Sequence, residues 1–559
     1  MIKIAEKNAA FLLLACIALV WFFTLPFDAI DIDSAQYAEI SREMSDTGNF
    51  LHIRDNGRKY LDKPILTFWT ISLSYKIFGV SNFAFRLPAV LISLLSLYSI
   101  YRIAMLLYGS SRKARLAALI YAFCPGLFAM LIDPKIDVYL TAYLIFTYHA
   151  FYLGRKKNPA WFFLMYLLMS MGVITKGPIA IVIPGISIGL DILVRRDWKL
   201  LFSMKIIPGF FILVSLPLMW SWLLYQEFST YGPFFFMFLQ SFGRFYRKMY
   251  DQKFDPFYFV NNFSFAFLLF IIPLIVYIVK LIRSRVKETG FLKFPGDIFR
   301  GLLSNRWKES DFTVPFWVFV TLFLISFSRY QRPQYIYWII PAGALYTAKI
   351  VDSWFDESPG FYVWIVPGLA ILFIIAYPFY SMGIGPVYFA IVCAAVILFF
   401  LLRKSYPQQI LATLLSGATV YGIVIAYAYP ELLKFQPSAR VAQRIFEMER
   451  DERILYTFGV SGSKRSYGFY ARRLTRPILD SKKFKEDLKK GPRLVLVAKD
   501  FLPFFNQFLG GGIRVETIES YQTYKVATPQ PRFFSRAYRA AHPEKLFRDV
   551  LLVRVSAGG

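Results

Sequence analysis

Two aspartates one residue apart, Asp31 and Asp33, and a lysine further on, Lys63, have the types and setting to do chemistry at a membrane surface. The aspartates open the run Asp31-Ile-Asp33-Ser-Ala-Gln-Tyr37-Ala-Glu39-Ile-Ser-Arg42-Glu-Met. From Ser34 the spacing is helical, with Ala35, Ala38, Ile40 and Met44 on one side and Glu39, Arg42 and Glu43 mostly elsewhere. Ser34 is expected to cap the start of this helix, and Thr47-Gly48-Asn49 to end it. An amphipathic helix directly after a membrane span is expected to lie in the interface, with Asp31 and Asp33 at its N-terminus. Two readings stay open for these carboxylates. They either cap the helix and complement its dipole, or one of them is a general base, made more basic by partial desolvation at the lipid–water boundary. An Asp-x-Asp pair also suits Mg²⁺ or Mn²⁺ on a nucleotide-sugar, but no doubly wound nucleotide-binding pattern accompanies it. Lys63 stands in Lys59-Tyr-Leu-Asp62-Lys63-Pro-Ile-Leu-Thr-Phe-Trp69. There it either snorkels to water beside an aromatic belt or meets the phosphate of a lipid.

The elements that must position these groups follow from composition. The chain has 559 residues, 57% apolar, 19% aromatic and 18% charged, with a formal net charge of +28. A soluble domain carries about 25% charged residues, and the mean hydropathy is +0.46. These figures exclude a large soluble enzyme and a disordered chain, and they favour an α-helical polytopic membrane protein. At about 20 apolar residues per span, spans are expected at 9–27, 87–107, 115–132, 137–154, 159–175, 178–194, 202–224, 258–280, 312–327, 334–350, 361–380, 386–402 and 408–428, about 13 in all. Lys and Arg gather in alternate loops: Lys3 and Lys7, Arg112 and Lys113, Arg155 to Lys157, Arg195 and Arg196, Lys280 to Lys287, and Arg403 and Lys404. The positive-inside rule then puts the N-terminus in the cytoplasm and, with an odd number of spans, the C-terminal tail outside. Cys16, Cys124 and Cys393 lie in apolar stretches and are expected to be packing residues. His52, His149 and His542 are too far apart in sequence to suggest a metal site.

Three outer segments are long. The first loop covers about 28–86 and the second about 225–257. The second carries the run Phe234-Phe-Phe-Met-Phe238, read as a membrane-facing helix or a wall of a lipid groove. The tail, 430–559, forms a second domain after the membrane domain 1–429. It alternates helical stretches (Ser438–Glu449, Lys482–Lys489) with strand-like runs beginning at Arg453, Arg493 and Ile513, which predicts a small α/β domain. Residues 431–559 hold 25 basic and 13 acidic residues. That surplus suits an anionic outer leaflet or a phosphorylated glycolipid.

Asp33-Ser-Ala-Gln-Tyr-Ala-Glu-Ile-Ser-Arg-Glu-Met, then Tyr60-Leu-Asp-Lys-Pro-Ile-Leu-Thr-Phe-Trp, then Phe78-Gly-Val followed by Arg86-Leu-Pro, resembles the bacterial lipid A aminoarabinose transferases. These are relatives of the protein O-mannosyltransferases with the GT-C fold. Thr175-Lys176-Gly177-Pro178 and Ser328-Arg-Tyr-Gln-Arg332-Pro-Gln-Tyr335 resemble further motifs of that family. The resemblance implies a GT-C-like membrane domain with an extracytoplasmic C-terminal α/β domain, a polyprenyl-phosphate-linked sugar donor, and a reaction on the outer face. It implies that Asp33 is the catalytic acidic residue, that Asp137 is a second acidic residue facing the cavity, and that Lys63 and Tyr335 contact the donor phosphate. The chain departs from the family pattern where Gln36 replaces an arginine, Asp62 a glutamate, and Gln240-Ser241 a Glu-His or Glu-Asn pair ahead of Arg244-Phe245.

A sugar on a phosphate already has a good leaving group, so catalysis means holding donor and acceptor in line and neutralising the departing phosphate. Lys63, Arg329 or Arg332 and the Tyr335 hydroxyl are the candidates for that stabilisation. Asp33 is the candidate base of an inverting displacement; with a phosphate acceptor it orients the acceptor instead. Asp31, Tyr37, Glu39, Arg42, Asp62 and Lys176 complete the set of cavity candidates. Each has a plainer rival: Asp137 as a helix cap, Lys176 as a loop cation in a turn, Arg329 and Arg332 as interfacial anchors, His149 as a hydrogen-bonded packing residue. No cofactor is required by these residues, and a divalent ion, though allowed, has no histidine cluster behind it. The expected partners are the polyprenyl-linked sugar, a lipid A, glycan or protein acceptor, and membrane lipids, with no role for nucleic acid. The expected location is the bacterial inner membrane. The alternatives are a protein O-glycosyltransferase or, in another class, a polyprenyl-lipid flippase or transporter. A transporter places ionisable groups near the bilayer midplane, whereas Asp33, Lys63, Asp137, Lys176 and Arg329 fall at outer span ends or in outer loops.

Overall fold

The computed structural model describes residues 2–240, 243, 254–268, 270–289, 310–357, 414, 421, 424–425, 429–450, 452–460, 465–524 and 536–558. Helices dominate its first part: α1 (Ile2–Phe22), α2 (Asp33–Thr47), α3 (Leu66–Phe78), α4 (Asn82–Tyr108), α5 (Ser111–Ala122), α6 (Pro125–Ile132), α7 (Ile136–Lys156), α8 (Trp161–Lys176), α9 (Ile179–Arg195), α10 (Trp198–Ser203) and α11 (Ile206–Phe228). A two-residue-per-strand hairpin, β1 (Arg54–Asp55) with β2 (Arg58–Lys59), sits between α2 and α3.

Every expected span up to 334–350 falls on helix. Among the described residues, α4 and α11 are long and apolar enough to cross a membrane, and α5 with α6 makes a third if the bent pair is one span. Spans 361–380 and 386–402 and nearly all of 408–428 lie outside the described residues, as does Cys393. Three expected spans are interrupted. The 115–132 stretch bends by 47° between α5 and α6, where Pro125 lacks the N–H that would continue the ladder. The 258–280 stretch divides into helices Tyr258–Ala266 and Ile271–Thr289, and 334–350 opens with a 3₁₀ turn, Pro333–Trp338, before the helix Ile340–Glu357. The outward faces of α1 and α11 are apolar: Phe11, Leu12, Leu19, Ile207, Phe211, Leu218 and Trp222 are all exposed, as suits contact with lipid tails. Cys16 shares that exposed surface and is not a packing residue, while buried Cys124 lies with its Sγ 2.7 Å from the Ala266 carbonyl.

The C-terminal part is a five-stranded mixed sheet in the order β4 (Leu474–Pro477), β3 (Ile454–Phe458), β5 (Arg493–Ala498), β7 (Phe547–Ala557), β6 (Ile513–Tyr524). Strands β3, β5 and β6 and the helices 438–448 and 481–488 occupy the runs whose patterning predicts them, whereas β4 and β7 form in runs that patterning did not single out. Pairing is parallel among β4, β3 and β5 and antiparallel at β7 and β6. One sheet face packs Val441, Ile445, Tyr467, Leu494 and Leu496; the other packs Phe484, Phe505, Val495 and Val497. The first of these faces is turned toward α2 through the short helix Ser466–Ala471.

Arg86 of α4 ties these parts together. It is fully buried. Its guanidinium donates to the carbonyls of Phe27 (2.9 Å), Asp28 (2.8 Å), Leu131 (3.2 Å) and Ile132, and to the Tyr429 hydroxyl (3.1 Å). The ends of α1 and α6 and the start of helix Tyr429–Leu433 therefore share one cation. Arg86→Leu strips donors from several buried carbonyls, at about 1–3 kcal/mol for each unsatisfied group. The expected outcome is a loss of about 3 kcal/mol or more, read as a lowered thermal unfolding midpoint of the purified protein; an unchanged midpoint contradicts the role.

Candidate active site

The first loop enters its helix one residue earlier than expected: α2 begins at Asp33, and Ser34 does not cap it. The Ser34 side chain points instead into the protein, against the Asp133 carboxylate and 2.8 Å from the Pro134 carbonyl. Asp33 itself keeps 41% side-chain exposure. Lys135, from the turn between α6 and α7, reaches it: Nζ lies 3.9 Å from Asp33 Oδ2 and 3.1 Å from Asp133 Oδ2. Asp133 beside it, with Asp33 adding to the effect, holds the Lys135 ammonium above its ordinary range against the opposing effect of burial. Beyond its first turn α2 is buried from Tyr37 to Ser45, and Gly48 closes it with φ +68.

In the first turn of α7, Asp137 pairs with Lys176, which α8 delivers at its last residue. Both side chains are under 10% exposed, at 4% and 7%. Trp338 Nε1 donates to Asp137 Oδ1 at 3.2 Å. The Lys176 ammonium lies over the rings of Tyr335 (4.9 Å) and Trp338 (5.1 Å), which stack on each other. Lys176 is thus a buried cation in an aromatic cage and not a loop cation, and Asp137 is more than a cap. Placing Tyr335 and Trp338 there is the job of the 3₁₀ turn that Pro333 opens.

Lys63 is one-fifth exposed and pairs with Asp62 at 2.7 Å. The Gln240 amide donates to the Asp62 carboxylate at 2.6 Å and to its carbonyl, tying the first loop to the end of the helical Phe234–Leu239 stretch. In that stretch Phe234 and Phe238 are exposed and Phe236 is buried. The partners expected at Ser241, Arg244 and Phe245 lie outside the described residues. A second tie runs from Arg54 to Glu227 at the end of α11, beside the Lys59 ammonium 2.9 Å from the Glu227 carbonyl.

Tyr37, buried in α2, is close enough to Asp33, Asp62 and Asp137 to feel their charges. Its phenol is pushed well above the ordinary range, first by burial and then by the charges of Asp33, Asp62 and Asp137 and by Tyr60. Tyr60 is raised in the same way, by burial and then by Asp62, Asp55 and Asp33, and its buried hydroxyl has no hydrogen-bond partner among the described residues. Both phenols therefore stay protonated donors. The structure gathers Asp33, Tyr37, Asp62, Lys63, Asp137, Lys176 and Tyr335 at one end of the helical part. Asp133, Lys135, Tyr60 and Trp338 join them although residue type and spacing did not single them out; the Asp133-Pro-Lys-Ile-Asp137 run was the available signal, read for Asp137 alone.

The other candidates sit elsewhere. Asp31 is buried against the helix Ser466–Ala471, where Ser466 donates to its carboxylate. Glu39 and Arg42 form a buried bidentate pair at 2.7 and 2.8 Å, with Asp46 a further 2.6 Å partner of Arg42. Burial pushes the Glu39 carboxyl up to about 7, against the pull of Arg42. Helix α2 is therefore wrapped in protein and does not lie on lipid: α3 packs one side and the helix Ser466–Ala471 another. Glu43, raised by burial, accepts the N–H groups of Asn56 and Gly57 and anchors the hairpin. Arg329 is exposed, and Arg332 lies over the Tyr330 ring at 4.7 Å, on the flank of Tyr335. Among the described residues no group of three or more His, Cys, Asp or Glu is arranged to hold a metal ion.

Residues 62–225 match the family model described as dolichyl-phosphate-mannose-protein mannosyltransferase. The chain is similar to the undecaprenyl phosphate-alpha-4-amino-4-deoxy-L-arabinose arabinosyl transferases of Edwardsiella ictaluri (29% identity over 317 residues, 54% of this chain and 52% of the relative) and Yersinia enterocolitica (30% over 349 residues, 60% and 57%). The match thus spans little more than half the length of these curated relatives. The fold is that of ArnT from Cupriavidus metallidurans. The undecaprenyl phosphate-bound crystal structure superposes with a TM-score of 0.73 at 18% identity, covering 97% of both chains, and the apo state with 0.71 at 18%, covering 98% of both. The resemblance read from the motifs and the GT-C-like architecture it implied agree with these relatives and structures.

The Asp137–Lys176 pair makes a direct test of how the site is held. Removing one charge strands the other in an apolar, aromatic setting, at about 3–5 kcal/mol. Asp137→Asn and Lys176→Met alone are each expected to lower the unfolding midpoint strongly, while the double variant regains most of the loss. Additive losses in the double variant contradict a paired role.

Proposed function

We propose that the chain is an integral-membrane glycosyltransferase that moves a sugar from a polyprenyl-phosphate donor to a glycolipid acceptor, lipid A in the first instance, on the outer face of the bacterial inner membrane. The names of its relatives point to an undecaprenyl-phosphate-linked aminoarabinose as the donor. The observation that carries the proposal is the meeting of Asp33, the Asp62–Lys63 pair and the Asp137–Lys176 pair around buried Tyr37. Paired cations and a part-exposed carboxylate come together there, in loops and at helix ends that the alternating Lys and Arg pattern places outside. The same pattern underlies the proposed topology: about 13 spans, a cytoplasmic N-terminus, and a domain 430–559 in the periplasm.

In the proposed reaction an acceptor oxygen attacks the anomeric carbon as the bond to the donor phosphate oxygen breaks, and the phosphate leaves with the electron pair. Lys63, the Tyr335 hydroxyl and, from the flank, Arg332 or Arg329 stabilise the charge that grows on it. Lys176 fixes the Tyr335–Trp338 stack from above and Asp137 from the side. Asp33, held by Lys135, faces the acceptor. With a hydroxyl acceptor it takes the proton; with a phosphate acceptor no proton moves, and it orients the incoming group. The family model over 62–225 favours a second reading, transfer to a protein hydroxyl, for which the proton-accepting role of Asp33 is required.

The test is in vitro transfer by the purified chain from a panel of polyprenyl-phosphate sugars to lipid A and to peptide acceptors, with products read by mass spectrometry. The expected result is a glycosylated lipid A. Asp33→Asn is expected to lower turnover by about 100- to 10,000-fold with donor binding retained. Unaltered turnover in that variant removes Asp33 from the mechanism; product on peptides alone selects the second reading; no product with any donor defeats the proposal.

A further inference from the structure

We infer that the C-terminal part of the chain belongs to the catalytic apparatus, because Gln436 and the helix Ser466–Ala471 grip the chain immediately before Asp33 and so set where that carboxylate points. The inference rests on the role given to Asp33 above and adds Asp31, Gln436 and Ser466 as positioning residues.

The connector between α1 and α2 is bound by residues more than 400 positions away. The Ala29 N–H donates to the Tyr470 hydroxyl at 2.7 Å, and the Ala29 carbonyl accepts from Gln436 Nε2 at 2.8 Å. The Asp31 N–H donates to Gln436 Oε1 at 3.0 Å, an oxygen that also accepts from the Tyr524 hydroxyl at 3.1 Å. The Asp31 carboxylate accepts from the Ser466 N–H (3.1 Å) and the Ser466 hydroxyl (2.6 Å). Asp31, Gln436, Ser466 and Tyr524 are all more than nine-tenths buried.

On the other side of Asp33 the grip belongs to the membrane part, where Ser34 is held by Asp133 and Pro134. Asp33 is thus the exposed residue between two fixed points, one supplied by each half of the molecule. A third tie lies one turn on: Asp55 of the hairpin accepts from Gln36 Nε2 at 2.8 Å and pairs with Arg465 at 2.7 Å. Ordinary domain glue would spread over the outer surface of α2. Arg465, Thr475, Arg472 and Tyr470 also bond Asp55, Asn56, Val80 and Asn82, but three bonds meet the backbone at Ala29 and Asp31, the lever arm of the first helical turn. Buried polar networks in which each member is satisfied confer rigidity rather than bulk stability, and a displacement of about 1 Å at a reacting group costs about 100-fold in rate.

The experiment uses the full chain in lipid nanodiscs with undecaprenyl-phosphate sugar and lipid A. Ser466→Ala and Asp31→Ala are expected to lower kcat by about 100-fold with the donor KM unchanged. Asp31→Asn, which still accepts from the Ser466 N–H, is expected to keep most of the activity. Hydrogen–deuterium exchange is expected to quicken over residues 28–36 in Ser466→Ala and to stay unchanged in α7 and α8. Wild-type kcat in Ser466→Ala and Asp31→Ala overturns the inference, as does a loss expressed in KM or exchange that quickens throughout the chain. If the wild-type chain transfers no sugar, the reading of Asp33 fails on its own account. The exchange arm then still decides the grip, and unaltered exchange over 28–36 refutes it.

Discussion

A charge inside an apolar bundle persists only beside its opposite, and that requirement organises the outer end of this molecule. Asp137 and Lys176 come from different helices, α7 and α8, and neither is tolerable alone where they meet. Their pairing fixes the register of the two helices. It also sets the aromatic wall, because Trp338 donates to the same Asp137 oxygen and Tyr335 lies under the same ammonium. Lys135 does the equivalent for Asp133 and Asp33, and Asp62 for Lys63. In the proposed reaction a phosphate arriving here would meet cations already oriented by carboxylates, leaving little reorganisation for the reaction itself.

The opposite end of α7 obeys the same rule with different partners. Arg155 is shared by Asp311 at 2.7 Å and Asp191 of α9 at 3.4 Å. With an ion cluster at each end and apolar packing between, α7 acts as the fixed post of the bundle. The first loop is fastened to that post by Ser34 and to the second loop by Arg54 and Gln240. Helix α2 can then carry buried Glu39 and Arg42, which would be untenable on a helix lying in lipid, because the hairpin, α3 and the helix Ser466–Ala471 enclose it.

Much of this was legible in the residues. Apolar length and the alternation of Lys and Arg placed helices where they occur, and period-two runs located strands β3, β5 and β6. Motif resemblance singled out Asp33, Lys63, Asp137 and Tyr335, which the fold gathers at one end. What stayed hidden was long-range. The destinations of Asp31 and Ser34 depend on Ser466 and Asp133, far away in sequence, and a local pattern sees only a helix start in either. Lys135 carries no sign of its neighbours until α6 and α7 turn it toward Asp33. Breaks in the expected spans were marked by prolines, at Pro125 and Pro333, but hydropathy summed over a window of about 19 residues smooths them away.

The central claim is that the donor phosphate is met by groups from two distant segments of the chain, with the Asp33 carboxylate beside them on the acceptor side. A structure of the full chain bound to undecaprenyl phosphate in a nanodisc tests it most directly. The account predicts the phosphate within hydrogen-bond distance of Lys63 Nζ and the Tyr335 hydroxyl, with the Asp33 carboxylate on the side from which an acceptor would approach. A phosphate seated away from Lys63, or an Asp33 carboxylate turned from it behind Lys135, would contradict it.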